Sequence, residues 1–320
     1  MKAILYEEYG SPDVLKIREI AKPVPKDNEV LIKIFATSVT AADCLMRKAE
    51  SWVDRLFLGF NRPRRKVLGT EFSGEIESIG KNVKKFRKGD RVYGFAGFGL
   101  GAYAEYKCMP ENGSISIKPN NLSHKESAVL VDSASTALFF LKEKGKLKGG
   151  QKVLVIGAAG SIGTYATQLA KHFGAEITGV CSTKNVDFVI LNGASKVIDY
   201  TNQDFTQIPE TFDIIFDTSA KSSFSRCKHL LNPNGYYLVT MMKFTPLVQT
   251  IWTKMVGGKK VIFAMSINKT NSLTILKEMA EKGIVKPIID KTFTFEQIGD
   301  AHRYVDEKQK SGNIAISLVE

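Results

Sequence analysis

The chain has 320 residues, of which 43% are hydrophobic, 10% aromatic and 24% charged. These are globular proportions at a length that suggests about two domains, and no apolar run nears the roughly 18 residues of a membrane-spanning helix. Cys44, Cys108, Cys181 and Cys227 lie far apart, with neither a CxxC pair nor a cysteine–histidine cluster, which excludes a disulfide framework and a thiolate-rich zinc site. Together with Glu7 and Glu8 in the opening residues, this gives the expectation of no secretory leader and a cytoplasmic compartment. Lysine and arginine number 45 against 33 acids, a net charge of +12. Much of the excess falls in two stretches. Residues 47–66 hold Arg47, Lys48, Arg55, Arg62, Arg64, Arg65 and Lys66 against Glu50 and Asp54, and residues 142–152 hold five lysines against Glu143. Neither stretch sits in a nucleic-acid module, so the expectation is a solvated basic surface with no nucleic-acid partner.

In chain order, AILYEEYG, VLKIREI, EVLIKIFATSV, GTEFSGEIESIG, GDRVYGFA and AYAEYKCM read as short strands separated by turn signals. They predict a mostly antiparallel β-barrel or sandwich over the first 120 or so residues. The pattern changes at Ser123, a cap candidate three residues before Glu126, where SHKESAVLVDSASTALFFLKEKG shows helical spacing. Six buried-strand runs follow, separated by helical segments: KVLVIGA (152–158), EITGVCS (176–182), KVIDY (196–200), FDIIFDTS (212–219), GYYLVTM (235–241) and KVIFAMS (260–266). Continuous Val/Ile strands alternating with helices predict a doubly wound parallel sheet. The tail predicts one amphipathic helix over 295–308 and a final strand.

The first of these strands runs into Gly157-Ala-Ala-Gly160-Ser-Ile-Gly163 and then a helix starting near Ser161. Gly160 lets a pyrophosphate approach the backbone, and Gly163 lets the helix pack on the strand. The first-turn amides of Ser161, Ile162 and Gly163 would face the phosphates. The usual first glycine of the fingerprint is Ala158 here, so the weight rests on the placement between strand and helix. A turn with no ligand is the plainer alternative. At the end of the next strand, where an NAD enzyme carries an acid for the ribose, stands Cys181-Ser182-Thr183-Lys184. A hydroxyl and an ammonium attract a 2′-phosphate, so NADPH is expected, held by Ser182 and Lys184. The alternative for Lys184 is an ordinary surface lysine.

Together, MKAILYEEYGSPDVL, EVLIKIFATSVTAADCLMR, LGTEFSGEIESIG with KKFRKGDRVYGF, GAYAEY, the AAGSIG turn and KVIDY resemble the medium-chain dehydrogenase/reductases. The similarity covers essentially the whole chain and is to the zinc-free quinone oxidoreductase-like branch. It implies a GroES-like β-rich catalytic domain (1–121, completed by 285–320), a Rossmann dinucleotide-binding domain (122–284), and an active site in the cleft. Where zinc-dependent relatives hold metal with Cys, His and Cys, this chain has Thr40, Thr70 and, near the last position, Asp132. Two hydroxyls and a carboxylate make a poor zinc site, and the cysteine-rich structural lobe is absent, so no metal is expected. Hydrogen bonds must then stabilise charge on the substrate oxygen, with Thr40 the first catalytic candidate and Asp132, if protonated, the second. A helix or loop acid without a role is the alternative for Asp132. The resemblance also implies Tyr200 beside the adenosine phosphate, Thr136 facing the nicotinamide, and Thr218, Val239 and Phe263 along the cofactor groove. Ordinary strand-end packing is the alternative for Tyr200 and Phe263.

The stretch 49–66 matches the family least. Its Trp52, Leu56, Phe57, Leu58 and Phe60 among arginines read as a substrate-side loop or short helix, with core packing or contact with anionic membrane as alternatives. None of the four histidines is assigned to catalysis. The expected function is NADPH-dependent reduction of a small conjugated carbonyl (quinone, enone or alkenal), in a protein that could form a homodimer. The alternatives are an enoyl-thioester reductase and a cofactor-binding sensor without efficient turnover.

Overall fold

The computed structural model describes residues 1–240, 244–307 and 310–318, which form two compact units. In chain order the elements are β1 (Lys2–Leu5), β2 (Lys16–Glu19), β3 (Glu29–Val39), α1 (Ala41–Lys48), α2 (Trp52–Leu58), β4 (Glu71–Ile79), β5 (Arg91–Phe95), β6 (Tyr106–Pro110), β7 (Ile115–Ile117) and α3 (His124–Leu138). The second half contains β8 (Lys152–Ile156), α4 (Ser161–His172), β9 (Glu176–Cys181), α5 (Val186–Leu191), β10 (Lys196–Asp199), β11 (Phe212–Asp217), α6 (Phe224–Cys227) and β12 (Leu231–Val239). It ends with α7 (Phe244–Val256), β13 (Lys260–Phe263), α8 (Thr270–Glu281), β14 (Ile289–Thr294), α9 (Ile298–Asp306) and β15 (Asn313–Ser317).

Residues Met1–Asp132 and Ile267–Glu320 make the first unit. Its main sheet runs β14-β15-β3-β4-β5-β7, with β6 also paired to β3, and all neighbours are antiparallel except β14 and β15. Val30, Ile32 and Ile34 of β3 alternate into a core with Phe72, Ile76, Val92, Met109 and Ile115. Two bonds of chemistry tie the C-terminal tail to this unit. Strand β15 pairs with β3 from Ile314↔Val39 to Ser317↔Ala36. On α1, the fully buried Arg47 pairs with Asp306 of α9 at 2.6 Å, and Cys44 Sγ lies 3.3 Å from His302 Nδ1. Burial drives His302 down to about 3, so its ring is neutral.

The unit also takes α8, and it resumes at Ile267. The reason is local bonding: Tyr93 Oη donates to Leu273 O at 2.6 Å, and Thr270 Oγ1 donates to Gly113 O at 3.1 Å. Strand β14 was not expected, because only Phe293 of IDKTFT is buried and the alternation is weak.

Residues Ser133–Ser266 make the second unit. Its sheet is parallel, with the order β10-β9-β8-β11-β12-β13. In sequence terms that is 3-2-1-4-5-6, the doubly wound dinucleotide-binding order. All six expected strands are present; Met241, at the end of GYYLVTM, and Lys308, at the end of the tail helix, lie outside the described residues. The capping box before α3 forms as its spacing implies, with Ser123 Oγ accepting from Glu126 N at 3.2 Å and Glu126 Oε2 accepting from Ser123 N at 2.8 Å.

The tightest backbone approach in this unit is between the first turn of α4 and the end of β8. A Cβ on Gly163 would stand 2.1 Å from Gly157 O and 2.8 Å from Ala158 Cα. Both obstacles are backbone, so nothing flexible can yield. Gly163→Ala should therefore cost about 1–3 kcal/mol or more, read as a lower urea midpoint. An unchanged midpoint would show that α4 can pull away from β8 freely.

Candidate active site

Gly157 leaves β8 with φ +81°, a left-handed value that favours glycine, and the Gly157 and Ala158 amides both donate to Val180 O at 3.1 Å. Gly160 is the N-cap of α4, as expected, and a Cβ there would meet only Gly157 O, at 3.3 Å. A Cβ at Gly160 would thus be tight against one backbone oxygen but not blocked, whereas one at Gly163 is blocked outright. The first-turn amides of Ser161, Ile162 and Gly163 lie at the positive dipole end of α4. The start of a 12-residue helix with glycine at its N-cap has the dipole and backbone character that suits a dinucleotide pyrophosphate.

Sheet register aligns the other expected groups at the carboxyl edge. Ile156 pairs with Asp217, Asp217 with Val239, and Val239 with Phe263, so Thr218 follows directly beside Gly157. Thr218 Oγ1 donates to Ile156 O at 2.9 Å. Thr136 is buried on α3. One residue not anticipated from sequence organises this edge. Asp217, fully buried, accepts from Tyr237 Oη at 2.9 Å, from Ser222 N at 3.0 Å and from Ser219 N at 3.2 Å, which fixes the loop after β11.

After β9, Ser182 is half-buried and Lys184 exposed, while Tyr200 after β10 is 50% exposed, so Tyr200 is not a packing residue. A second unanticipated acid lies among them. Asp199 accepts from Thr183 Oγ1 at 2.6 Å and from Thr201 Oγ1 at 2.7 Å, and these bonds hold its carboxyl below the usual range. The region of Ser182 and Lys184, where a 2′-phosphate is expected from sequence, therefore also contains the Asp199 carboxylate.

In the first unit, Thr40 is the N-cap of α1. Its hydroxyl donates to Asp43 Oδ2 at 2.6 Å, and its backbone N–H donates to the same oxygen at 2.9 Å. Asp43 is fully buried, and desolvation pushes it up to about 6. Its Oδ1, with the buried Thr70 and Tyr103 hydroxyls nearby, lacks a well-formed hydrogen bond. Glu71, 1% exposed, is pushed up to about 8, chiefly by burial and next by the Asp132 charge. It accepts from the Asp132 backbone N–H at 2.6 Å and from the Ser38 hydroxyl. The Asp132 side chain instead pairs with the fully buried Lys269 at 2.8 Å, and Lys269 Nζ sits 4.7 Å from the centre of the Phe95 ring. In that ion pair Asp132 is an acceptor, which works against the proton-donor role considered from sequence. Among the described residues, no group of three or more His, Cys, Asp or Glu is placed to hold a metal ion.

Sequence reasoning missed Asp43, Glu71 and Lys269 here. Thr40-x-x-Asp43 is the spacing of a capping box and could have revealed Asp43. Lys269 carries no local signal, since it reaches Asp132 only through the fold.

Two family descriptions match the chain: alcohol dehydrogenase GroES-like domain over residues 26–119, and zinc-binding dehydrogenase over 192–316. The 2-methylene-furan-3-one reductase of Solanum lycopersicum is 31% identical over 328 residues, covering 99% of this chain and 79% of that protein. The human quinone oxidoreductase is 29% identical, covering 95% of this chain and 94% of its own. The solved quinone oxidoreductase of Coxiella burnetii superposes with a TM-score of 0.91 at 27% identity, over 100% of this chain and 99% of that one. The chain belongs to the medium-chain dehydrogenase/reductase superfamily, in its quinone oxidoreductase-like branch. It is an oxidoreductase of that type, and no helix among its described residues is long and apolar enough to cross a membrane.

Burial of Glu71 has a measurable consequence. An acid whose pKa rises on folding stabilises the native state less as pH climbs from its ordinary value, 4.5, to about 8, and the loss then levels off. Wild-type urea midpoints should fall over that interval more steeply than those of Glu71→Gln, and above it the variant should be the more stable. Parallel profiles would contradict a neutral buried Glu71.

Proposed function

We propose that this oxidoreductase uses NADPH to reduce a quinone, enone or alkenal without zinc. The observation that carries the reading is the strand–glycine turn–helix corner of β8 and α4; it is supported by the resemblance that puts the hydroxyls of Thr40 and Thr70 where zinc-dependent relatives hold metal. Relatives named for quinone, alkenal/one and furanone reduction support the substrate class. NADPH, when bound, would supply a hydride. Ser161, Ile162 and Gly163 would hold the pyrophosphate through backbone N–H groups. Ser182 and Lys184 would hold the 2′-phosphate, with Tyr200 beside them, while Thr136, Thr218, Val239 and Phe263 would line the groove.

Hydride added at the conjugated carbon sends negative charge to the carbonyl oxygen. Thr40 stabilises that charge by turning its O–H from Asp43 to the substrate, and water protonates the product. Water can also stand in for the hydroxyl, so Thr40→Val should lower turnover only about tenfold. Unchanged turnover would remove Thr40 from the reaction. Asp132→Asn is a poorer probe, because it strands the buried Lys269 at about 3–5 kcal/mol. Asp132→Asn combined with Lys269→Met separates that structural loss from chemistry.

Cofactor choice tests the reading directly. NADPH should bind tighter than NADH, and Lys184→Ala should weaken NADPH alone by about 1.5–3 kcal/mol, some 10- to 100-fold in Kd. Asp199→Asn should tighten NADPH and leave NADH unchanged, since only the phosphate senses the carboxylate. Equal dissociation constants for the two cofactors in the wild type would refute NADPH specificity. Tight NADPH binding with turnover of crotonyl-coenzyme A, but of no quinone or enone, would favour the thioester reading.

A further inference from the structure

The stretch around α2 does not pack into the core. Trp52, Leu56, Phe57 and Phe60 are 71%, 56%, 66% and 68% exposed. Trp52 and Leu56 are four residues apart on the helix and share a face, and Phe57 is exposed about 100° round from Leu56. Contacts of Arg55 and Tyr9 pin the segment: Arg55 Nε donates to Ala49 O at 3.0 Å, its guanidinium lies 5.4 Å from the Tyr9 ring, and Tyr9 Oη donates to Gly59 O at 2.6 Å. The segment is therefore anchored to the first unit with its aromatic residues held outward.

Arg62, Arg64 and Arg65 follow at once. All three are exposed, and none forms an ion pair among the described residues, whereas Lys66 is paired with Glu7 at 2.8 Å. Water-facing tryptophan and phenylalanine raise the free energy of the isolated protein, and unpaired guanidiniums need counter-charge. An anionic lipid surface answers both needs at once, with aromatic rings at the headgroup level and arginines on the phosphates. The net charge of +12 favours the same encounter from a distance. A second copy of the chain would cover the rings but bring the same three cations, which repel. We propose that Trp52–Leu58 and the arginines after it form a docking patch for anionic membrane surfaces. This goes beyond the reductase reading and does not depend on it.

The protein has two tryptophans, Trp52 and Trp252, so each can be made the sole reporter. Trp252→Phe should show a blue-shifted emission, and should cosediment, with vesicles of phosphatidylcholine containing roughly one third phosphatidylglycerol, and neither effect should appear with phosphatidylcholine alone. High salt should release it. Trp52→Phe, which keeps an aromatic ring, should still cosediment while the Trp252 emission stays unchanged. Replacing Arg62, Arg64 and Arg65 together with serine should weaken partitioning roughly a hundredfold, at about 1 kcal/mol for each cation, with no change in melting temperature. A shift reported by Trp252 alone, equal binding to neutral vesicles, or full binding by the triple variant would each overturn the assignment. So would an absence of vesicle binding together with a concentration-dependent dimer that Trp52→Asp dissolves.

Discussion

The carbonyl oxygen of Gly157 occupies the place where a side chain on residue 163 would begin, 2.1 Å from the ideal Cβ. That approach brings α4 against β8 and directs its first turn at the end of the strand. Three neighbours depend on the same corner: Val180 O receives the Gly157 and Ala158 amides, Thr218 donates back to Ile156 O, and Asp217 ties down the loop that follows. The consequence is an asymmetric glycine pair, with no room for a side chain at Gly163 and a tight but not blocked position at Gly160. Packing explains the glycine at 163.

The first unit solves a different problem, that of burying acids. Asp43 and Glu71 are both enclosed, and for each the cost of removing charge from water outweighs the hydrogen bonds received, so both titrate above the usual carboxylate range. Asp132 has the opposite solution, a direct ion pair with a buried lysine. The arrangement keeps carboxyl groups close to Thr40 and Thr70 without assembling a metal-binding set among the described residues. The Thr40 proton already has an acceptor in Asp43, so in the proposed reaction a substrate oxygen would have to compete for it.

How much was legible in the sequence depended on whether the signal was local. The six parallel strands were readable because each is a run of Val and Ile bounded by turn residues, and the Ser123 cap because its partner is three residues away. The glycine turn was readable for the same reason. Helix α1 was hidden behind a strand that reads through to Val39, although Thr40-x-x-Asp43 marks its start. The α8 placement, the Lys269–Asp132 pair and the Asp199–Thr183 bond were not readable, because each depends on residues brought together by the fold. The aromatic stretch 52–60 was readable as a helix candidate but not as a surface, since periodicity does not say which face is covered.

In the proposed reaction, hydride passes directly from the nicotinamide to a conjugated carbonyl compound. The most direct measurement is mass spectrometry of the product formed from an alkyl vinyl ketone with NADPH deuterated at C4 on either face. One labelled face should yield saturated ketone carrying a single deuterium at the carbon β to the carbonyl, and the other face should yield none. Reduction without deuterium from either label, or with deuterium lost to solvent, would contradict direct transfer.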